Sequence, residues 1–360
     1  MNAERLNDFI GSSDLSIVDA MGKIDMNAKG ILFIVDKEHK VVGSLSDGDI
    51  RRWLLKSGEI TANVAKAMNL SPYVLNYRNR NNALKIMKEK CIKAIPLIND
   101  NGSIIDVYLS SDNEENVHKG NLDGVPVVIM AGGKGTRLYP YTKILPKPLV
   151  PIGDTPIVER IIDYYTSFGM NLFYMTVNYK KAMIRSYFDD IERQYEIRYV
   201  EEDKPLGTGG SIKLIPDKFD KPLFVTNCDA LILADYYDIY QYHIKTGNDI
   251  TMVSALKNFQ VPYGVLHTGN NGVLNTMEEK PKLSYFINTG MYIINPQTID
   301  LIPTDTFFHM THLVEKVMKS GGKVGTYPVS EDSFLDMGEL DEMKRMEEKL
   351  GIATNKGETT

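Results

Sequence analysis

Residues 125–153 read VPVVIMAGGKGTRLYPYTKILPKPLVPIG: an apolar run, a glycine-rich loop and a proline-rich segment. A continuous apolar run of this kind is typical of a strand that is buried on both faces. Arg137 and Lys147 place fixed positive charge next to the loop. Three glycines permit a tight turn and leave backbone N–H groups open to an anion: Gly132, Gly133 and Gly135. The stretch predicts a phosphate-binding loop at the end of a buried strand.

Two common phosphate-binding motifs do not match this stretch. A Walker loop has the pattern G-x-x-x-x-G-K-[ST], which the sequence GGKGTR does not supply. A dinucleotide fingerprint continues directly into a helix and carries an acidic residue about twenty positions further on. Here the glycines are followed by Pro140, Pro146 and Pro148 instead. The loop therefore belongs to a different class of phosphate site.

The region after the glycine-rich loop alternates between predicted strands and predicted helices. The runs LFYMTV, PLFVTN and ITMVSA are typical of strands, and helices are predicted for IVERIIDYYTSFG, residues 180–190 and DYYDIYQYHIKTG. Asp154-Thr155-Pro156 has the pattern of a capped start for the first helix. This alternation predicts an α/β fold with a mostly parallel sheet. Ligands of such sheets bind beyond the carboxyl ends of the strands.

The motifs AGGKGTRL and PKPL together resemble the signature of the sugar-phosphate nucleotidyltransferase superfamily, and the resemblance extends to about Lys349. It implies a Rossmann-like mixed sheet and a Mg²⁺-dependent reaction. In that reaction a nucleoside triphosphate and a sugar 1-phosphate give a nucleotide-sugar and pyrophosphate. The sugar phosphate is already ionised at neutral pH, so no general base is needed. Arg137 is expected to hold the leaving pyrophosphate and Lys147 to neutralise the α-phosphate.

The resemblance also implies a metal site and a nucleotide site. Asp229 follows the run PLFVTN and Asp336 lies in FLDMGE, and the family uses two aspartates in these contexts to hold Mg²⁺. Carboxylate oxygens suit this ion, which shares its coordination shell with substrate phosphates. Cys228 stands where the family usually has glycine. The expected nucleotide-binding residues are Gly132, Gly133, Gly135, Asn178, Gly207 and Asp229. The segment Leu206-Gly207-Thr208-Gly209-Gly210 resembles a second glycine-rich turn of the family, whose backbone groups contact the base.

Three later segments resemble the family's sugar pocket: Tyr263-Gly264-Val265, Glu279-Lys280-Pro281 and Asn288-Thr289-Gly290. Glu279 is expected to accept hydrogen bonds from sugar hydroxyls, and Lys280 to bind the sugar phosphate. An asparagine can both donate to and accept from a hydroxyl. The expected sugar-phosphate-binding residues are Gly264, Glu279, Lys280 and Asn288.

The stretch FFHMTHLVEK contains two histidines that could be taken for metal ligands. His309 and His312 are three positions apart rather than four, and no third ligand of the usual type is nearby. The stretch therefore predicts the start of a helix.

The first third of the chain contains an internal repeat. Residues 29–49 read KGILFIVDKEHKVVGSLSDGD, and residues 93–112 read KAIPLINDNGSIIDVYLSSD. Aligning Ile31 with Ile95 places Asp36 on Asp100 and, after a one-residue gap, Asp49 on Asp112. Each copy has two β-type runs around a polar turn, and the amphipathic helix NNALKIMKEK precedes the second copy. The repeat predicts two similar units that bury a shared face.

This third resembles a tandem CBS-domain pair, or Bateman module. Its most specific element is Gly43-x-x-Ser46-x-x-Asp49, which in the family holds the ribose and phosphate of an adenosine-type nucleotide. A carboxylate can accept hydrogen bonds from two vicinal ribose hydroxyls. The second copy has Asp106 and Leu109 in place of the glycine and the serine. The expected ligand-binding residues are Gly43, Ser46, Asp49 and Asp112. The alternative is a role in dimerisation or stability only.

The polar stretch SDNEENVHKGNLDG separates the two regions. We expect a tandem CBS pair over residues 1–115, a linker over 116–124, a catalytic domain over 125–350 and a tail over 351–360. This layout resembles the guanylyltransferases of bacterial legionaminic acid pathways, which implies GTP and glucosamine 1-phosphate as substrates. No residue separates guanine from the other bases, so a uridylyl-, cytidylyl- or thymidylyltransferase stays open. A nucleotide-sensing CBS protein with an inactive transferase domain is a further alternative.

The composition restricts the partners. The 360-residue chain has a formal net charge of −6, which argues against nucleic acid because phosphate backbones recruit basic surfaces. Neither a signal peptide nor a membrane span is recognisable. Cys91 and Cys228 lack the spacing of a disulfide framework or a metal site. These features predict a cytoplasmic protein with no membrane partner, and we expect a homo-oligomer.

Overall fold

The computed structural model describes residues 6–27, 29–90, 92–109, 120–338 and 340–352. The chain divides into two compact units, Met1–His118 and Lys119–Thr360. Cys91 and Asp112 lie outside the described residues. The division falls within the polar stretch that separates the two predicted regions, while the exact domain boundaries stay predictions. In the described part of the chain, no helix is long and apolar enough to cross a membrane.

The first unit contains two three-stranded sheets of the same topology. In each, a short first strand pairs in parallel with the second, and the second pairs antiparallel with the third. The elements are β1 (Ile10–Ser12), α1 (Ile17–Asn27), β2 (Ile31–Val35), β3 (Val41–Ser46), α2 (Asp47–Ser57), β4 (Leu75–Asn76), α3 (Ala83–Lys90), β5 (Ala94–Ile98) and β6 (Ile104–Leu109). The predicted repeat and the helix before its second copy are confirmed.

The predicted alignment of the two copies is wrong by one residue over β2 and the turn that follows it, because Ile31 corresponds to Ala94 and not to Ile95. Asp36 Oδ1 accepts hydrogen bonds from the backbone N–H groups two and four residues later, at 2.8 and 2.9 Å. Asn99 Oδ1 makes the same two contacts, at 3.0 Å each. Asn99 is therefore the counterpart of Asp36, and the match of Asp36 with Asp100 was wrong. Asparagine and aspartate both form this turn, so identity of residue type misled the alignment.

The two copies bury a common apolar face, as predicted. One hydrophobic cluster combines Phe33 and Val35 from the first copy with Ile104 and Val107 from the second. The hairpin turns also meet, because the N–H of Ile104 donates to the carbonyl of His39 at 2.9 Å. The unit is thus held together by side chains that the repeat supplies from both halves.

The second unit is a three-layer α/β structure. Its elements are β7 (Val127–Met130), α4 (Tyr141–Ile144), β8 (Pro151–Ile152), β9 (Thr155–Pro156), α5 (Ile157–Thr166), β10 (Leu172–Val177), α6 (Lys181–Asp190), β11 (Glu196–Glu201), α7 (Gly207–Gly210), β12 (Leu223–Asn227), β13 (Ala230–Ile232), α8 (Tyr236–Thr246), β14 (Ile250–Gln260), β15 (Gly264–Thr268), β16 (Leu274–Glu279), β17 (Lys282–Ile294), α9 (Met310–Lys319), β18 (Val324–Val329), β19 (Phe334–Asp336) and α10 (Leu340–Lys349).

The main sheet has seven strands in the order β11-β10-β7-β12-β17-β14-β18. Strand β7 is parallel to both β10 and β12, and β14 is parallel to β18. Strand β17 is antiparallel to β12 and β14, which makes the sheet mixed. The predicted α/β class is confirmed.

Strand β7 is an interior strand of the sheet, between β10 and β12, and is buried on both faces. Val127 and Ile129 belong to the hydrophobic cluster on one face, and Val128 and Met130 belong to the cluster on the other. Helices cover both faces, so every position of the strand must be apolar. This arrangement explains the continuous run VPVVIM and confirms the prediction made from it.

The helix ends were predicted with mixed success. Helix α8 is followed by its C-terminal cap Gly247, as predicted, and it begins after the N-terminal cap Asp235. Helix α5 has Pro156 at its cap position, with no capping side chain. Asp154 instead accepts from its neighbour Thr155, so the prediction of a capped start was wrong. The cause is the short hairpin β8–β9, which pairs Thr155 with Ile152 and leaves Asp154 in the turn between the strands.

Candidate active site

The glycine-rich loop follows β7 directly. Among the described residues, the backbone N–H groups of Gly132, Gly133 and Gly135 have no hydrogen-bond partner. Gly135 has φ +65°, and a Cβ atom there would lie 2.9 Å from the Cβ atom of Lys147. The loop therefore needs glycine to fold against the lysine, and it presents free donors to an anion.

The buried carboxylate of Glu202 packs against this loop at Gly132. A Cβ atom on Gly132 would lie 2.7 Å from Glu202 Oε1. Glu202 Oε2 accepts from the N–H of Leu206 at 3.0 Å, and burial raises the pKa of its carboxyl. Glu202 thus connects the loop with the second glycine-rich turn. Glu202 could not be predicted from the sequence, because one glutamate in the run VEED carries no distinguishing pattern.

Lys147 and Asp229 form an ion pair at the carboxyl end of the sheet. Asp229 lies two residues after the end of β12, and Lys147 begins a short 3-10 helix. Between β12 and Asp229, Cys228 packs into the hydrophobic core, where burial raises the pKa of its thiol to about 12. The cysteine is therefore a packing residue, and it does not displace the carboxylate.

Asp336 lies beside Asp229 because two short strands pair. Strand β19 runs antiparallel to β13 with Asp336 opposite Ala230, and the N–H of Met337 donates to the carbonyl of Asp229 at 2.9 Å. Burial, and then the charge of Asp229, raise the pKa of the Asp336 carboxyl, while Lys147 and Arg137 oppose this shift. Two residues more than a hundred positions apart are thus brought to one site.

A cleft of about 310 Å³ opens at this point. This volume is at the lower end of the range for small-molecule sites. Four residues predicted from the sequence line it: Arg137, Asp229, Asn288 and Asp336. Seven further residues, none of them a predicted site residue, line it as well: Met130, Thr208, Asn227, Tyr292, His309, Thr311 and Phe334.

Asn288 is held in place by its neighbours on β17. Its side-chain N–H donates to the hydroxyl of Tyr292 at 2.6 Å, and its Oδ1 accepts from the N–H of Gly290 at 3.0 Å. Gly290 has φ +81°, and a Cβ atom there would lie 2.3 Å from Asn227 Nδ2. The glycine in the segment Asn288-Thr289-Gly290 therefore makes room for a cleft residue.

The second glycine-rich turn differs from its prediction. Gly207–Gly210 forms a single helical turn itself. The N–H groups of Gly209 and Gly210 both donate to the carbonyl of Phe308 at 2.9 Å. These two groups are therefore not free to contact a base, and the role of Gly207 stays a prediction. Asn178 does not line the cleft, and its side-chain N–H donates to the carbonyl of Glu202 at 2.7 Å.

Three of the predicted sugar-binding residues lie away from the cleft. Gly264 and Glu279 face each other across the exposed hairpin β15–β16, and Lys280 follows it with φ +49°. None of the three lines the 310 Å³ cleft. Sequence order alone could not reveal this separation, because the hairpin extends from the sheet. Their role in sugar binding stays a prediction.

The two histidines lie at the start of a helix, as predicted. His309 is the cap residue of α9, and its backbone N–H donates to Nδ1 of His312 at 3.2 Å. Within the described residues no group of three or more His, Cys, Asp or Glu side chains is arranged for a metal ion. A cation at Asp229 and Asp336 would thus have two protein carboxylates, which suits Mg²⁺ with its remaining ligands from phosphate and water.

The motif predicted to bind an adenosine-type nucleotide has a structural role in the first unit. Ser46 and Asp49 cap helix α2 reciprocally: the Asp49 N–H donates to Ser46 Oγ at 3.2 Å, and the Ser46 N–H donates to Asp49 Oδ2 at 2.9 Å. A Cβ atom on Gly43 would lie 2.6 Å from the sulfur of Met68. The spacing Gly-x-x-Ser-x-x-Asp therefore also serves packing and helix capping.

The fold and the site together define an α/β protein whose cleft suits a phosphorylated ligand. A family model described as nucleotidyl transferase matches residues 126–351, and a CBS domain model matches residues 12–56. The first match covers more than half of the sequence. The chain therefore belongs to the nucleotidyl transferase family and carries an N-terminal CBS domain.

Similar proteins differ in their named substrates. Mannose-1-phosphate guanyltransferase of Pichia angusta is 35% identical over 185 residues, covering 49% of this chain and 50% of that protein. UTP–glucose-1-phosphate uridylyltransferase of Synechocystis is 33% identical over 234 residues, covering 59% of this chain and 60% of that protein. The chain thus spans between half and three fifths of the length of these relatives. The crystal structure of HddC from Yersinia pseudotuberculosis has a TM-score of 0.50 and 27% identity, covering 63% of this chain and 99% of that one.

Proposed function

We propose that the chain transfers a nucleotidyl group from a nucleoside triphosphate to a sugar 1-phosphate and releases pyrophosphate. The observation that carries this proposal is the convergence of Arg137, Lys147, Asp229 and Asp336 at the carboxyl end of the sheet. Cations next to a carboxylate pair suit a reaction in which charge moves between phosphate oxygens. Family membership, stated above, supports the same reaction class.

The reaction requires positioning more than proton transfer. An ionised oxygen of the sugar phosphate attacks the α-phosphorus in line with the leaving pyrophosphate, forming one P–O bond and breaking another. The free N–H groups of the glycine-rich loop and the guanidinium of Arg137 would hold the pyrophosphate. Lys147 would offset charge on the α-phosphate. Holding both reactants in this geometry removes much of the entropic cost of bringing them together.

The carboxylates fit a divalent cation. Burial, and then the charge of Asp229, raise the pKa of Asp336, and a shared cation would offset the repulsion between the two carboxylates. Mg²⁺, when bound, supplies positive charge that stabilises phosphate oxygens in the transition state. Lys147 would then exchange part of its contact with Asp229 for a phosphate oxygen.

We propose GTP as the donor and glucosamine 1-phosphate as the acceptor, as in the guanylyltransferases of bacterial legionaminic acid pathways that the domain layout resembles. The guanyltransferase among the similar proteins supports a guanine donor. The uridylyltransferase keeps UTP as the principal alternative. Asn178, Gly207, Gly264, Glu279 and Lys280 stay our candidates for recognising base and sugar.

We also propose that the first unit is a tandem CBS pair that binds an adenosine-type nucleotide. The CBS match to residues 12–56 supports the first copy, and the repeated sheet topology supports the second. Gly43, Ser46 and Asp49 are the candidate ligand residues.

The experiment is a matrix of GTP, UTP, CTP and dTTP against glucosamine, mannose and glucose 1-phosphates with Mg²⁺, measuring pyrophosphate release. We expect release in at least one combination, and most with GTP and glucosamine 1-phosphate. No release in any combination would contradict the enzymatic proposal. Pyrophosphate release with UTP, CTP or dTTP but not with GTP would contradict the assignment of GTP as the donor. The Asp229→Asn variant is the matched control for the role of this carboxylate in pyrophosphate release, since it removes one charge while keeping the side-chain size.

A further inference from the structure

A histidine that the proposed mechanism does not use lines the cleft together with the two aspartates. His309 is half-buried and lies at the start of α9, between Phe307 and His312. Its ring contacts Thr208: the backbone N–H of Thr208 donates to Nδ1 at 3.4 Å, and the hydroxyl oxygen lies 3.3 Å from the same atom. Thr208 thus holds the ring of His309 through Nδ1, and the residue lines the cleft.

The contacts of Thr208 determine which ring nitrogen carries the proton. The Thr208 hydroxyl accepts from the backbone N–H of Met310 at 3.1 Å, so its own proton is available for Nδ1 of His309. A backbone N–H can only donate, so Nδ1 must be the acceptor in that contact. The neutral ring therefore carries its proton on Nε2, an assignment that follows from the hydrogen-bond network.

The second ring nitrogen is left as a donor. Nε2 of His309 has no hydrogen-bond partner in the described part of the chain. The Tyr292 hydroxyl accepts from Asn288 and so keeps its own proton for another partner. Tyr292 and Thr311, which also carries a hydroxyl, line the same cleft. This side of the cleft is therefore rich in neutral donors, which suit a ligand that carries oxygen acceptors.

We propose that His309 binds the acceptor substrate by donating a hydrogen bond from Nε2 to an oxygen of the sugar 1-phosphate. This inference rests on the proposed function and names a further binding residue for it. Thr208 fixes the ring and its tautomer, so the donor is in place before the substrate arrives. The second glycine-rich turn, which carries Thr208, thereby acts on the acceptor side of the site.

Two variants separate this role from a purely structural one. In His309→Asn, the side-chain oxygen can replace Nδ1 as the acceptor for Thr208, but no atom reaches the position of Nε2. In His309→Gln, the amide N–H reaches the position of Nε2, but the contact with Thr208 is lost. A binding role predicts that Asn is the damaging replacement and Gln the tolerated one. A structural role predicts the reverse.

The measurement is steady-state kinetics with the best pair from the substrate matrix. We expect His309→Asn to raise the KM for the sugar 1-phosphate about tenfold, the effect of one lost hydrogen bond, with the KM for the nucleoside triphosphate changed by less than about twofold. His309→Gln should recover most of this loss. His312→Asn is the matched control: His312 does not line the cleft, and asparagine keeps a side-chain acceptor for the backbone N–H of His309, so the acceptor KM should stay unchanged.

Direct binding keeps this test independent of turnover. Calorimetry with glucosamine 1-phosphate, inorganic phosphate and free glucosamine measures affinity without catalysis, and the last two probes distinguish a phosphate contact from a sugar contact. If the wild type binds glucosamine 1-phosphate but turns over no substrate pair, only the proposed function fails. Equal affinity of wild type and His309→Asn overturns the inference. So does a weaker affinity of His309→Gln than of His309→Asn, or no binding by the wild type.

Discussion

The ammonium group of Lys147 forms an ion pair with the carboxylate of Asp229, and the two side chains are only 15% and 7% exposed. The pair joins the proline-rich segment after the glycine loop to the end of β12. Both partners are also proposed to contact substrate or its cation. The same two residues therefore contribute to stability and to the proposed chemistry.

Lys147→Met should destabilise the protein, because it leaves the buried charge of Asp229 unpaired. Removing one partner of a buried pair costs on the order of 3 kcal/mol in the free energy of unfolding. The double variant Lys147→Met/Asp229→Asn should recover most of that loss without recovering pyrophosphate release. Thermal and denaturant unfolding of the three proteins measure the effect. A double variant as unstable as the single one would show that the pair is not the cause.

Asp336→Asn should raise the melting temperature at neutral pH while abolishing activity. The folded-state pKa of Asp336 is raised by burial and by Asp229. The folded protein therefore binds this proton more tightly than the unfolded chain does, and the ionised carboxylate lowers stability at neutral pH. As the pH falls through the raised pKa, the wild type becomes protonated and the advantage of the variant should disappear. Melting curves over a pH series without Mg²⁺ test this, and a lower melting temperature of the variant at neutral pH would contradict it.

Gly132→Ala and Gly133→Ala should differ although they are adjacent. A Cβ atom at Gly132 would meet the buried Glu202 carboxylate at 2.7 Å, whereas nothing lies within 4 Å of one at Gly133. We expect Gly132→Ala to cost roughly 1–3 kcal/mol of stability, since crowding a packed site forces its neighbours to move. Gly133→Ala should stay within about 0.5 kcal/mol of the wild type. Chemical denaturation compares the two, and equal losses would exclude Glu202 as the cause.

Ser46→Ala tests the two roles of the CBS motif in one protein. Loss of the cap should cost about 1 kcal/mol locally, seen as faster hydrogen exchange in the first turn of α2. If Ser46 also binds an adenosine-type nucleotide, calorimetry with AMP should show an affinity about tenfold lower, the loss of one hydrogen bond. Ser46→Thr retains a hydroxyl and is the matched control. Unchanged AMP affinity in Ser46→Ala would leave capping as the only role of the serine.

The sequence was informative where a local pattern has one physical cause. Strand β7 could be predicted because a strand buried on both faces must be apolar throughout. The end of α8 could be predicted because Gly247 adopts a left-handed conformation with φ +62°, which glycine accepts without strain. Local patterns failed at Asp154, where a hairpin competed with a helix cap for the same residue.

Tertiary contacts decided the rest of the site. Glu202 gave no signal and His309 drew notice only as a metal ligand that its spacing excluded, because the importance of both comes from what packs against them and not from their neighbours in sequence. Likewise, the sequence placed Gly264, Glu279 and Asn288 in one pocket, but the hairpin β15–β16 separates the first two from the cleft.

The α/β class, the repeat and the charged residues at strand ends could therefore be predicted from the sequence alone. These properties depend on burial pattern and residue type, and both can be read from the local sequence. Three contacts of the site arise only in the folded chain. Asp336 lies beside Asp229, and Thr208 holds the ring of His309. Glu202 packs against the glycine-rich loop. Such contacts join residues distant in sequence, and they depend on strand pairing and close packing that no local pattern specifies.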